Sequence, residues 1–66
     1  MLTEKQLEIA DEWIQENVDM NEFAFDGEIV EKGNTVKYFF CKCDESIVYH
    51  ITIEKERVVN ISKEIK

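Results

Sequence analysis

The stretch GNTVKYFFCKCDESIVYHITI, Gly33–Ile53, decides how this chain folds. It contains two candidate reversals, Gly33-Asn34 and Asp44-Glu45, on either side of the run Thr35–Cys43. That run is apolar on both faces, so its own pattern does not say which side is buried. The loops on either side supply the answer, because a one-residue slip exchanges the two faces of a strand. Gly and Asn tolerate the positive φ of a tight hairpin. A two-residue loop at Gly33-Asn34 sets Ile29 opposite Tyr38 and Gly27 opposite Phe40. A two-residue loop at Asp44-Glu45 sets Phe40 opposite Tyr49 and Tyr38 opposite Ile51. Both loops select the same inner face: Phe23, Phe25, Ile29, Val36, Tyr38, Phe40, Ile47, Tyr49, Ile51 and Ile53.

Upstream, the period changes from two to 3.6. Thr3 is an N-cap with Gln6 three residues on, which makes a capping box, and Leu2 and Leu7 form the matching hydrophobic staple. Leu7, Ala10, Ile14 and Val18 make an apolar stripe, widened by Ile9 and Trp13. The spacing predicts a helix over residues 3–18 whose stripe covers the inner face of the sheet. Downstream, Glu54-Lys55-Glu56-Arg57 breaks the pattern and Val58–Ser62 reads as a fourth strand. The expected architecture is α+β, one domain over residues 1–66. A single N-terminal helix packs on one face of an antiparallel β-meander, αββββ, in two layers.

Sixty-six residues lie near the lower limit for a core that folds unaided. The hydrophobic fraction of 44% argues for a globular domain in spite of 35% charged residues. There is no proline, and Gly27 and Gly33 are the two glycines, which leaves no linker composition. The first residues lack the basic start and apolar run of a signal peptide, and no apolar stretch is long enough for a bilayer. The expectation is a cytoplasmic protein without membrane contact, whose Cys41 and Cys43 stay reduced. Side chains two apart on a strand point the same way at about 7 Å, a poor fit to a disulfide.

Charge is unevenly distributed. Residues 1–31 carry ten carboxylates against one cation, Lys5, while residues 32–66 carry seven cations and five carboxylates. The total is −7. Direct nucleic-acid binding, which needs cations against phosphates, is not expected; a basic protein partner is.

The candidate sites follow from this layout. Glu4, Glu8, Asp11, Glu12, Glu16 and Asp19 fall on the helix arc opposite the apolar stripe. Carboxylates at i and i+4 rise about 6 Å per step, comparable with phosphates along a nucleic-acid strand. The leading expectation is therefore a non-catalytic regulator or inhibitor that docks this acidic face on a basic nucleic-acid-processing protein, as phage and mobile-element inhibitors do. The plain alternative is a solvated face kept acidic for solubility. Repulsion between like charges at i,i+4 costs helix stability and argues that the row has a purpose.

The expected outer sheet face supplies a second reading, a homodimer packed through Val30, Phe39, Cys41, Cys43 and Val48. A third is a zinc or redox site at Cys41, Cys43, His50 and Asp26 on that face. Its spacing matches no standard zinc motif, and no helix N-terminus is placed to lower a thiol pKa. Catalysis finds no support: no nucleophile is oriented by a base and a third group, and no glycine loop cradles a phosphate. No cofactor is expected.

Overall fold

The structure, a computed structural model, describes residues 2–31 and 33–65. One helix, α1 (Glu4–Asn17), precedes four strands: β1 (Ala24–Val30), β2 (Thr35–Lys42), β3 (Glu45–Glu54) and β4 (Arg57–Ile65). The strands form one antiparallel sheet in the order β1-β2-β3-β4, with the helix on one side. This is the αββββ arrangement that the period change and the loops imply.

The start of α1 is fixed by its cap. Thr3 Oγ1 accepts from the Gln6 backbone N–H at 3.2 Å, and Gln6 Oε1 accepts from the Thr3 N–H at 2.9 Å. Two otherwise orphaned donors are thereby satisfied. Gln6 also donates to the Lys55 carbonyl at 2.7 Å, which ties this end of the helix to the β3–β4 turn. The far end has no glycine. Val18 takes an extended conformation, and Asn17 Nδ2 donates to the Trp13 carbonyl at 2.8 Å. The helix therefore stops at Asn17, and a turn begins at Asp19, whose carboxylate accepts from the Asn21 N–H at 2.9 Å.

The core is built where the stripe meets the sheet. Leu2, Ala10, Ile14 and Val18 pack against Val36, Tyr38, Phe40, Ile51 and Ile53. Ala10, with a single methyl, lets the helix approach the sheet closely. Trp13 reaches Tyr49 with ring centroids 5.9 Å apart, and Phe40 meets Tyr49 edge-on at the same distance. Such tilted pairs add roughly 0.5–1.5 kcal/mol each beyond the area they bury.

The inner face of β2 and β3 is as the loops imply, but its pairing differs. The reversal between these strands uses Cys43-Asp44, with Lys42 opposite Glu45, so Phe40 faces Ile47 and Tyr38 faces Tyr49. That is two residues from the expected register. An even slip keeps each side chain on its face, which is why the core prediction survives it. Cys43, expected on the outer strand face, sits in the turn with φ 53.

The β1–β2 hairpin departs by an odd number and does exchange faces. Glu31 N–H donates to the Thr35 carbonyl at 2.8 Å, and the chain reverses between these two residues. The two-residue loop at Gly33-Asn34 is not what forms. Ile29 consequently pairs with Lys37 on the outer face, whereas Glu28 and Val30 lie across from Tyr38 and Val36 on the helix side. A register shift between Phe25 and Gly27 then leaves Asp26 unpaired as a β-bulge. This second slip restores Phe25 to the inner face, opposite Phe40. Beyond the expected Val58–Ser62, β4 runs on to Ile65, with Ile61 opposite Ile51.

Candidate functional site

A helix advances 100° per residue, and that rotation divides the acidic arc into two parts. Asp11, Glu4 and Glu8 lie next to the apolar stripe on the side facing β1. Glu12 and Glu16 lie further round, pointing away from the sheet. All five are exposed. Among the described residues none of the five has an ion-pair partner; the ion pairs are Lys5–Glu56, Lys37–Glu31 and Lys42–Glu22. Asp11 accepts from Gln15 Nε2 at 3.0 Å. Asp19, beyond the helix end, serves the turn described above and stands apart from the row.

α1 packs over β2, β3 and β4 and leaves the β1 side open. Between the helix and β1 runs a groove of about 380 Å³, lined by Glu4, Leu7, Glu8 and Asp11 from α1 and by Glu28 and Tyr38 from the sheet. Four carboxylates thus surround an apolar floor. The buried Tyr38 phenol is held well above its ordinary pKa, first by desolvation and then by the negative charges of Glu28 and Asp11. The phenol stays neutral, so it adds no anion to the groove. Phe25 and Val30 continue the inner face past Tyr38 and are about half exposed, at 51% and 45%. Phe25 leans on Phe40 and Tyr38, with ring centroids 5.6 and 6.3 Å away.

Two members of this groove, Glu28 and Tyr38, are not legible as site residues in the sequence. A two-residue loop turns Glu28 outward, and nothing in the local pattern announces the longer reversal or the bulge. The signal that comes nearest is Gly27, whose φ of 150 suits a glycine beside a bulge.

The structure disperses the other candidate constellations. Val30 is on the helix side and Cys43 is in a turn, which removes two residues from the proposed dimer face. Phe39 and Val48 remain on it, opposite one another. Val48 is already buried, at 4% exposure, and Phe39 is half-buried. Cys41 lies between Ala24 and Ser46, and His50 between Lys37 and Ser62. Ser46 and His50 are four residue steps apart along β3, roughly 13 Å, while Asp26 sits at the bulge. Among the described residues no three of His, Cys, Asp and Glu come close enough to hold a metal ion. Both thiols are free.

A second hollow, about 330 Å³, lies by the β2–β3 turn, where Lys42 pairs with Glu22 and stands 5.5 Å from the Phe23 ring centroid. Its one cation is thus already engaged. No helix of the described residues is long and apolar enough to cross a membrane. No protein-family model matches the chain, and neither a curated protein nor a solved structure is detectably similar to it.

Proposed function

We propose that this chain is a small, non-catalytic, cytoplasmic binding domain that docks its acidic surface on a basic protein. In its sharpest form it regulates or inhibits a nucleic-acid-processing protein by presenting carboxylates where that protein expects phosphates. The observation that carries this reading is the set Glu4, Glu8, Asp11, Glu12 and Glu16, exposed on one helix and without cationic partners among the described residues. Each i,i+4 pair of like charges costs about 0.2–0.5 kcal/mol of helix stability. A row held for solubility alone gains nothing from that arrangement. A basic partner reverses the sign of the repulsion and steers the encounter at long range.

The test is affinity capture from the native host with wild type and with the Glu8→Gln/Glu12→Gln/Glu16→Gln variant. Wild type retains a basic nucleic-acid-binding protein, and raised salt releases it. The variant fails to retain it. Equal capture by both chains removes the reading.

A further inference from the structure

We propose that the groove beside α1 is a berth for a second helix, a basic amphipathic segment of the partner, lying over β1 and alongside α1. The inference rests on the acidic-docking reading and names the segment that docks. Neighbouring strands lie about 4.8 Å apart, so β1 is roughly 10 Å across the sheet from β3, the middle of the three strands that α1 covers. Packed helices sit about 8–10 Å axis to axis. The sheet is therefore one helix wider than the single helix that covers it.

The surface of this lane is half apolar and half acidic, in the arrangement an amphipathic helix needs. Below lie Phe25 and Val30, half exposed on the helix side of β1. Beside them, Leu7 and the carboxylates of Glu8, Asp11 and Glu28 line the wall and floor. An incoming helix would bury its apolar stripe on Phe25, Val30 and Leu7, and set its Lys or Arg residues against the acidic rim.

Charge decides against a second copy of this chain, because its own α1 would bring another acidic row against these carboxylates. The β1 edge argues against an added strand. The bulge at Asp26 interrupts the regular ladder just where a strand would pair, a common way to blunt an edge. The open face, rather than the open edge, is what a partner can use.

The probe is an 18-residue synthetic helix of Leu and Lys at amphipathic spacing, titrated into the isotope-labelled full chain at low salt. A scrambled peptide of the same composition is the control. The amphipathic peptide should bind at least about tenfold tighter than the scrambled one. Amide shifts should concentrate at Leu7, Asp11 and Phe25–Val30. Val30→Lys should weaken binding by roughly tenfold, and Glu8→Gln by several-fold. Glu12→Gln/Glu16→Gln, on the far arc, should change it by less than about twofold. Should Val30→Lys fail to fold, the wild-type shift map decides alone.

Equal binding of both peptides, with the loss following Glu12 and Glu16, overturns the berth and leaves acidic docking intact. No binding of either peptide at low salt overturns both. Lane shifts that grow with protein concentration in the absence of peptide identify a second copy as the occupant and overturn the proposal.

Discussion

β3 and β1 belong to one sheet, yet their side chains have opposite surroundings. β3 is paired on both edges and covered by α1, and its Ile51 and Ile53 are fully buried. β1 has a neighbour on one edge, carries the bulge, and leaves Phe25, Ile29 and Val30 half exposed. The same kinds of residue therefore do different things in the two strands. In β3 they hold the domain together; in β1 they remain apolar surface open to solvent. A domain this small gains its stability from a few well-covered side chains, so the covered half holds most of it. The open half can be altered, or occupied, at little expense to the fold.

The largest effect that sharpens this contrast comes from truncating one aromatic on each strand of the facing pair Phe25 and Phe40. Phe40 is 2% exposed at the centre of the core. Phe40→Ala should destabilise by about 3–5 kcal/mol, comparable with the whole stability of a small domain, and leave the chain largely unfolded at room temperature. Phe25→Ala removes a ring that is half in water already and should lose about 1–2 kcal/mol. Urea unfolding followed by Trp13 fluorescence measures Phe25→Ala, and the loss of the folded signal before any urea is added marks Phe40→Ala. Similar losses at the two positions would mean that β1 is as integral to the core as β2.

The sequence discloses the covered half more fully than the open one, for a physical reason. Helix punctuation is local: Thr3, Gln6, Leu2 and Leu7 carry the whole signal for the start of α1. The inner face of β2 and β3 is legible because alternation in Ile47–Ile53 survives a two-residue error in the turn. β1 has no such protection. Its faces hang on whether the reversal before Thr35 holds two residues or three, and on whether Asp26 is paired. Neither is written in composition or spacing. A two-residue loop turns Glu28 and Val30 outward, so the groove they help to build is hidden from the sequence. The acidic row itself was legible, because it lies on a helix whose phase the apolar stripe fixes. Its division between Glu4, Glu8 and Asp11 on one side and Glu12 and Glu16 on the other depends on where the sheet ends.

The next effect couples the two halves through Tyr38, a buried β2 phenol that lies across from Glu28 of β1. Burial and the nearby carboxylates raise its folded pKa above the ordinary value of 10.0. An acid with a raised folded pKa contributes stability that is complete below the unfolded value and is lost as pH rises beyond it. Stability should therefore be insensitive to this group up to about pH 10 and then fall by roughly 1.4 kcal/mol per pH unit. Comparing wild type with Tyr38→Phe in urea between pH 9 and pH 11.5 isolates the effect. The variant should lack this share of the alkaline decline. Parallel curves would show that the phenol is open to solvent when folded, and the covered half would then end at β3.

The smallest effect bears on how the open half is shaped. Gly27 has φ 150, a region that L side chains rarely adopt, and it stands next to the bulge that turns β1. A Cβ built there meets nothing within 4 Å, so any loss in Gly27→Ala comes from the backbone and not from a clash. The expected cost is about 1–2 kcal/mol. A 66-residue chain is within reach of chemical synthesis, which permits the decisive control, D-alanine at the same position. For a D residue this φ mirrors the ordinary extended region, so the D-alanine protein should match wild type or exceed it by a few tenths of a kcal/mol. If both enantiomers cost the same, the conformation of Gly27 is not what holds the bulge. Regular pairing would then be open to β1, with Ile29 free to turn inward, and the distinction between a covered half and an open half would dissolve at its cause.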